Sequence, residues 1–111
     1  MILGAVRMPG TGPLVMAGMG GVYSEVLRDT AFRMVPISRK DAGEMLDALR
    51  CAPILDGFRG QPLDKAGVTR TIRILSDLMK VFPRIREIDI NPCRVYSGGT
   101  AVLDARIVLD E

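Results

Sequence analysis

The sequence predicts an α+β fold, in which a mostly antiparallel sheet carries two helices on one face. Three observations predict it: strand-like apolar segments near both ends of the chain, two helix-like segments between them, and Pro or Gly at the junctions. The chain has 111 residues, of which 48% are hydrophobic. That size and composition fit one domain with one core, so we expect a single domain over residues 1–111.

The N-terminal third is predicted to form strands. Short apolar segments lie at residues 2–6, 13–17, 22–27 and 31–35. The first two are separated by a loop rich in Pro and Gly, so we expect them to form a hairpin. Glycines at 18, 20 and 21 bend the chain before the third segment, and Pro36 ends the fourth.

The middle third is predicted to form two helices. Ser38 followed by Asp41 resembles a capping box and marks the first helix start, and Pro53 is expected to end that helix. Its apolar side chains recur at helical spacing: Ala42, Met45, Leu46 and Leu49. Residues 54–63 are predicted to be a loop. A second helix is predicted from about Lys65 to Phe82, with an apolar side made of Val68, Ile72, Leu75, Met79 and Phe82.

The last third returns to strands and contains the most informative polar residues. A hairpin is expected around Gly98-Gly99 as a two-residue turn. Counting back from that turn places Cys93 opposite Asp104, and Asn91 opposite Arg106.

Strand parity then brings four polar side chains to one face of the sheet. Asp89 and Asn91 are two residues apart, as are Asp104 and Arg106, and cross-strand partners share a face. The opposite face is expected to be apolar and to pack against the helices: Ile88, Ile90, Leu103, Ala105 and Ile107. Mg²⁺ prefers oxygen ligands and often takes one or two carboxylates plus substrate phosphates. The pattern therefore suggests a magnesium and phosphate site, beside which Arg106 neutralises phosphoryl charge.

An ordinary solvated sheet face is the alternative interpretation of the same residues. In that case Asp89 and Arg106 form a weak surface ion pair, and Asn91 caps a turn before Pro92.

Composition excludes several classes of function. Fifteen basic and thirteen acidic residues give a net charge of +2, too small a surplus to recruit nucleic acid or an anionic membrane. The chain contains no histidine, so it has no histidine base, ligand or phosphoryl acceptor of its own. No apolar stretch approaches a membrane span, and Cys51 and Cys93 are expected to be reduced, mostly buried thiols in a cytoplasmic protein.

Seven short segments resemble, in chain order, the ATP-grasp domain of NDP-forming (ADP-forming) acyl-CoA or acetyl-CoA synthetases, a superfamily that includes succinyl-CoA synthetase-like enzymes. They are residues 12–16 (GPLVM), 18–23 (GMGGVY), 25–29 (EVLRD), 31–36 (AFRMVP), 57–62 (GFRGQP), 88–92 (IDINP) and 104–107 (DARI). The resemblance covers nearly the whole chain and identifies it with the C-terminal subdomain of that domain.

The resemblance implies roles for particular residues. Asp89, Asn91 and Asp104 look like ligands that hold Mg²⁺ against ATP or ADP phosphates, and Arg106 lies where the family has a basic residue near the γ-phosphate. The family couples acyl-CoA cleavage to ATP synthesis through an acyl phosphate and a phosphohistidine. The ATP-grasp portion exchanges the phosphoryl group with the nucleotide, so Arg106 is the expected catalytic residue.

Three further residues are weaker candidates for nucleotide or phosphate binding. Glu25 is equally plausible as an exposed strand residue, and Arg33 and Arg59 are possible phosphate contacts. Arg59 stands in a glycine-rich loop, where it is as plausible as a structural residue that bonds nearby carbonyl groups.

The resemblance also implies missing parts. The chain corresponds to a partial ATP-grasp domain, without the other subdomain and without the CoA-binding and ligase domains that carry the histidine. The family usually has Asp-Pro-x-Phe-Gly at residues 8–12 and an aromatic residue at Ala17. We expect a component that is inactive alone and that associates with separate subunits or with itself. The alternatives are a non-catalytic relic or regulatory module that keeps the fold, or an interaction domain unrelated to nucleotides.

Overall fold

The computed structural model describes residues 1–20, 29–58 and 60–110. Within them the chain forms a long antiparallel sheet, a small hairpin and three helices. The strands are β1 (Ile2–Met8), β2 (Gly12–Gly18), β3 (Thr30–Met34), β4 (Ile85–Ile90), β5 (Cys93–Tyr96), β6 (Gly99–Val102) and β7 (Ala105–Leu109). The helices are α1 (Arg39–Asp47), α2 (Ala52–Leu55) and α3 (Lys65–Val81). The third predicted strand, over residues 22–27, falls outside the described residues.

Five strands form one sheet in the order β3-β2-β1-β4-β7, and each neighbouring pair is antiparallel. β1 and β2 form the predicted hairpin. β1 lies at the centre of the sheet because it pairs with β2 on one side and β4 on the other. The strands β5 and β6 form a separate two-stranded hairpin beyond the end of β4.

One face of the sheet carries the helices, which confirms the predicted α+β layering. The helix α3 packs against β1, β2 and β4, and α1 packs against β3 and α3. The largest buried apolar side chains between these layers are Leu3, Val15, Met45, Leu46, Val68, Ile72 and Met79. Each removes apolar area from water, which stabilises the fold by about 1.5–3 kcal/mol for a large aliphatic side chain.

The predicted capping box of the first helix is confirmed, and the second long helix begins at Lys65 as predicted. The Ser38 hydroxyl accepts a hydrogen bond from the Asp41 backbone N–H at 3.0 Å, and the Asp41 carboxylate accepts one from the Ser38 N–H at 3.1 Å. The carboxylate of Asp64 caps α3 by accepting from the Gly67 N–H at 3.0 Å. In the described part of the chain, no helix combines the length and hydropathy needed to span a bilayer.

The predicted end of the first helix was wrong. Helix α1 ends at Asp47, and Pro53 instead lies in the first turn of the short helix α2, which extends to Leu55 and so into the predicted loop. The reason is Asp29, whose carboxylate oxygens accept hydrogen bonds from the backbone N–H groups of Arg50 at 2.6 Å and Cys51 at 2.8 Å. This long-range contact pulls the chain out of helical geometry before the proline is reached.

Candidate functional site

The turn between β5 and β6 lies one residue earlier than predicted. Tyr96 pairs with Gly99, so the two turn residues are Ser97 and Gly98, not Gly98 and Gly99. A tertiary contact fixes this register: the Tyr96 carbonyl accepts a hydrogen bond from the Asp64 N–H at 2.6 Å at the start of α3. The predicted pairs therefore change, and Cys93 lies opposite Val102.

The polar residues nevertheless share a face. Moving the turn by one residue changes the cross-strand partner of each residue by two positions, so every side chain stays on the same face of the sheet. Asp89 pairs with Arg106 in the sheet formed by β4 and β7. Beyond β4 the same register continues, since the Asn91 N–H donates to the Asp104 carbonyl at 3.1 Å. Asp104 is therefore opposite Asn91, and the prediction that paired Asn91 with Arg106 was wrong by two residues.

The face of the sheet that no helix covers is divided into an apolar half and a polar half. One row across all five strands contains Phe32, Met16, Gly4, Asp89 and Arg106. Gly4 has no side chain, so a hollow of about 180 Å³ opens over β1 between Met16 and Asp89. Phe32, Leu14 and Met16 line its apolar side, whereas Glu87 and Asp89 line its polar side.

The charged groups of the polar half are only partly paired. The guanidinium Nη2 of Arg106 lies 3.5 Å from the Glu87 carboxylate Oε1, and Arg106 is well exposed. The pair expected for a merely solvated face, Asp89 with Arg106, does not form at ion-pair distance. Among the described residues, the side chains of Asp89, Asn91 and Asp104 accept no hydrogen bond and form no ion pair. Their oxygens are therefore available to a ligand.

This set of donors fits a magnesium ion chemically. It consists of two carboxylates and one amide oxygen, with Asp89 and Asn91 at the end of β4 and Asp104 directly before β7. Hard cations such as Mg²⁺ select oxygen ligands and complete their shell with water and phosphate. Within the described ranges, no cluster of three or more histidine, cysteine, aspartate or glutamate side chains forms a metal site. Beyond these three side chains, water or phosphate oxygens would have to complete the coordination of an ion.

Ile88 and Ile90 share a face of the sheet with Ile107 and Ala105, as predicted, but the expected packing of that face against the helices is found for β4 and not for β7. Ile88 and Ile90 are buried against the helices, but the partners across the strand pair are exposed. The exposed partners are Ile107 and Ala105, and Leu103, which precedes β7, is also exposed. The reason is position, since β7 is the edge strand of the sheet and lies beyond the area that α3 covers.

Of the three weaker candidates, the structure describes Arg33. It lies on the helix-covered face. Its guanidinium is 3.9 Å from the Glu44 carboxylate of α1, and it donates a hydrogen bond to the carbonyl oxygen of Phe32. Arg33 is therefore separated by the sheet from Asp89. Glu25 and Arg59 lie outside the described residues.

Sequence reasoning missed two features of the site. The sequence analysis assigns no role to Glu87, yet its carboxylate contacts the Arg106 guanidinium, and its spacing of two residues from Asp89 is the signal that places it on the same face. Gly4 was taken as an ordinary strand residue, although its missing side chain creates the hollow beside Asp89. A glycine inside a strand pattern often marks close approach of another group, so this signal was also present.

Comparison with known proteins places this geometry in a family. The profile of the ATP-grasp domain matches residues 1–109 of the chain. The chain belongs to the ATP-grasp family. It is homologous to the ATP-grasp part of ADP-forming acyl-CoA synthetases, which confirms the resemblance.

Two relatives show how much of a larger protein this ATP-grasp chain matches. It is 43% identical over 112 residues to acetate–CoA ligase [ADP-forming] I of Archaeoglobus fulgidus, covering 100% of this chain and 16% of the relative. It is 40% identical over 110 residues to the beta subunit of acetate–CoA ligase [ADP-forming] I of Pyrococcus furiosus, covering 98% of this chain and 47% of that subunit. The chain thus spans about half or less of these relatives, which include a subunit and a much longer ligase.

A solved structure shows the same fold. The dinucleotide forming acetyl-coenzyme A synthetase 1 of Ca. Korarchaeum cryptofilum superposes with a TM-score of 0.93 at 38% identity, covering 98% of this chain and 52% of that chain. That protein was solved in complex with coenzyme A and Mg-AMPPCP, with its phosphohistidine segment pointing towards the nucleotide binding site.

Proposed function

We propose that this ATP-grasp chain supplies the magnesium and nucleotide-phosphate side of the nucleotide site in an NDP-forming acyl-CoA synthetase. The observation that carries the proposal is the polar half of the open sheet face in a chain of this family. There the side-chain oxygens of Asp89, Asn91 and Asp104 have no partner within residues 1–20, 29–58 and 60–110, and Arg106 shares their face. The reaction served is phosphoryl exchange between ADP or ATP and a phosphohistidine that another domain provides.

Each residue has a proposed task. Asp89, Asn91 and Asp104 hold Mg²⁺ through their side-chain oxygens, which are ligands of the type that this ion prefers. When bound, Mg²⁺ supplies charge neutralisation to the phosphate oxygens. Arg106 adds a cation that neutralises charge on the transferring phosphoryl group. Glu87 keeps the Arg106 guanidinium over the sheet face through their contact at 3.5 Å.

The remaining parts of the reaction belong to other domains or subunits. Residues 1–111 contain no histidine, so the phosphohistidine must lie outside them. We propose that residues 1–111 form a partial ATP-grasp subdomain that is inactive until the other subdomain and the CoA-ligase domains join it. Two unpaired thiols, Cys51 and Cys93, fit the cytoplasmic location that we propose for such an assembly.

Calorimetry with Mg-ADP tests the nucleotide site when the other ATP-grasp subdomain is supplied in trans. We expect binding that EDTA abolishes. Asp89→Asn or Asp104→Asn should weaken it by roughly tenfold or more, about 1.4 kcal/mol. The matched control is Asp77→Asn, because Asp77 is an exposed carboxylate on α3, on the other side of the sheet. Equal losses in Asp77→Asn and Asp89→Asn would contradict the site.

A second measurement separates an enzyme component from a non-catalytic module that keeps the fold. With all missing domains added, acetyl-CoA, phosphate and ADP should yield ATP, and Arg106→Ala should reduce the rate more than it reduces Mg-ADP binding. Mg-ADP binding without any ATP formation would favour the non-catalytic module instead.

A further inference from the structure

The strand β7 forms one edge of the long sheet and is open to pairing. Within residues 1–20, 29–58 and 60–110 it pairs with β4 on one side and with no strand on the other. Natural edge strands are often protected by proline, by lysine or by a bulge in the strand itself. The five residues of β7 include neither proline nor lysine, and the extra residue at the register shift between Ile85 and Glu87 belongs to β4. The outer side of β7 can therefore accept another strand.

Two hydrogen bonds show which backbone groups of β7 point outwards. The Asn91 N–H donates to the Asp104 carbonyl at 3.1 Å, and the Asp110 N–H donates to the Arg84 carbonyl at 2.8 Å. Residues of an antiparallel strand direct their N–H and C=O groups alternately to one side and to the other. The even-numbered residues of β7 therefore face β4, and the odd-numbered residues face the open edge.

The outward-facing residues carry exposed apolar side chains. Ile107 and Leu109 are about half exposed and lie on the face of the sheet that carries the helices. Together with Phe82, just after α3, and Ile85 they line a groove of about 480 Å³ beside β7. An added strand covers this groove with apolar groups when its own apolar side chains are on the same face, because opposed residues share a face. A second copy of β7 meets that requirement.

Hydrogen bonding and charge restrict the register of two β7 strands. Outward-facing residues must pair with outward-facing residues, so a twofold axis has to pass through a residue of β7. An axis at Arg106 opposes that residue to its own copy, which is a like-charge pair. An axis at Ile107 places Asp104 opposite Asp110, which again opposes like charges. Both registers are therefore unfavourable.

Axes at the two ends of the strand use only part of it. An axis at Ala105 pairs Ile107 with Leu103, whose N–H already donates to the Pro92 carbonyl at 3.0 Å. An axis at Leu109, the last residue of β7, pairs only the C-terminal end of the strand. The central residue of β7 remains as the position of the axis.

We propose that two copies of this chain pair through β7 as antiparallel strands about a twofold axis at Val108. Arg106 of each copy then lies opposite Asp110 of the other, so opposite charges meet on the open face of the sheet. Ile107 lies opposite Leu109 on the face that carries the helices, and each such pair exchanges both backbone hydrogen bonds. The two five-stranded sheets become one continuous sheet.

This pairing brings a residue of the second copy to the polar half of the open face. A guanidinium has five N–H donors, and among the described side chains only the Glu87 carboxylate contacts that of Arg106. Arg106 can thus bind Asp110 of the second copy while it keeps its contact with Glu87. Strand pairing requires neither magnesium nor nucleotide, so its test is independent of the proposed magnesium and phosphate site.

A disulfide on the twofold axis tests the register in the full 111-residue chain. Val108→Cys places two thiols in a non-hydrogen-bonded antiparallel pair, where Cα atoms are about 4.5 Å apart, which is within the range of a disulfide. Mild oxidation should therefore link the chains into dimers, and peptide mass spectrometry distinguishes this link from links through Cys51 or Cys93. The control Ala105→Cys changes a more exposed residue of β7, whose two copies are about 20 Å apart in this register, so it should not link.

Reversing the charge of Asp110 tests the ion pairs. Asp110→Lys turns both cross-strand pairs with Arg106 into like-charge pairs, so the dimer Kd from sedimentation equilibrium should rise roughly tenfold. Asp77→Lys makes the same charge change at an exposed position of α3 outside the groove, and it should leave the Kd unchanged.

Several results would overturn the pairing. They are a wild-type chain that stays monomeric, equal disulfide yields for Val108→Cys and Ala105→Cys, and equal Kd values for Asp110→Lys and Asp77→Lys. A change in the dimer Kd on Asp89→Asn would show that association depends on the magnesium site instead.

If Val108→Cys fails to fold, amide hydrogen exchange of the wild-type chain decides. The N–H groups of Ile107 and Leu109 should exchange more slowly as protein concentration rises, because the second copy covers them. Exchange at Val108, whose N–H already faces β4, should change less. Exchange at Ile107 and Leu109 that is independent of concentration would overturn the proposal.

Discussion

At the scale of single residues, Asp29 has the most consequences for the fold. It is one of the two buried polar residues in the described part of the chain. Its two carboxylate oxygens accept the N–H groups of Arg50 and Cys51, and its carbonyl accepts the Met19 N–H. The single residue Asp29 thus ends the region of helix α1 and connects that region to the sheet through hydrogen bonds.

Removing the Asp29 carboxylate should therefore destabilise the whole domain. Asp29→Ala leaves two backbone donors without their acceptor, which we expect to cost about 2–4 kcal/mol in the free energy of unfolding. Asp29→Asn keeps one acceptor oxygen and should cost less. Urea denaturation followed by circular dichroism measures both, and equal stabilities of Asp29→Ala and the wild type would contradict this role.

Asp29 also controls the chemistry of its neighbour Cys51. Burial and then the Asp29 charge raise the pKa of that thiol from 9.0 to about 11. Because the folded state favours the protonated thiol, its contribution to stability is present below pH 9 and is lost as pH rises through about 11.

Alkylation of Cys51 by iodoacetamide should therefore be slow near pH 8 and should accelerate until about pH 11, since the thiolate is the nucleophile. Asp29→Asn should shift the profile to lower pH, provided circular dichroism shows the variant folded. Peptide mass spectrometry follows the labelled residue. A midpoint at 9.0 in the wild type would disprove the shift.

At the scale of secondary structure, α3 holds the helix layer on the sheet. It runs from Lys65 to Val81 and buries one stripe of side chains while its other side faces solvent. The buried stripe contains Val68, Ile72, Leu75, Ser76 and Met79. The Ser76 hydroxyl accepts a hydrogen bond from the Ile37 N–H at 3.0 Å, which joins the helix to the segment before α1.

Two isoleucines of α3 offer a matched comparison of burial. Ile72 is 0% exposed and Ile74 is 55% exposed, and both lie inside the helix. Ile72→Ala should lower the free energy of unfolding by about 2–5 kcal/mol, because it removes buried methyl groups and leaves a cavity. Ile74→Ala should change it by no more than about 0.5 kcal/mol. Chemical denaturation measures both, and similar values would show that α3 does not pack as described.

These elements also show what the sequence could predict. The capping box at Ser38 and the apolar spacing of α3 are local signals, and the helices α1 and α3 that they predict are present in the structure. The end of α1 depends on Asp29 and the β5–β6 turn depends on Asp64, and each contact joins distant parts of the chain. The shared face of Asp89 and Arg106 was predictable because strand parity is local, but their direct pairing was not.

At the scale of the whole molecule, one group of apolar side chains lies together at an edge of the sheet. We call the edge patch the group Leu78, Phe82, Ile85, Ile107 and Leu109, which borders the unpaired side of β7. Phe82, Ile107 and Leu109 are each more than half exposed. An apolar patch beside an open strand edge favours association with another protein surface.

We expect the isolated chain to self-associate through the edge patch. Ile107→Lys places a charge in the centre of the patch and should shift the chain towards monomer in sedimentation velocity experiments. The control Ile54→Lys alters an exposed isoleucine on α2, which lies outside the patch. A wild-type chain that stays monomeric at high concentration would contradict the expectation.

The short turn at Ser97 and Gly98 sets a rule for length changes in this hairpin. Sliding one strand by two residues keeps Asp104 and Arg106 facing the same way as Asp89, although each meets a new partner. Sliding by one residue would point both side chains at the helix layer and bring their apolar neighbours to the open face. A one-residue insertion can therefore be absorbed only by a longer loop or a bulge, whereas two inserted residues can be absorbed by the strands themselves. Insertions of an even number of residues and insertions of an odd number therefore have different consequences for this hairpin. The difference can be read from loop lengths alone.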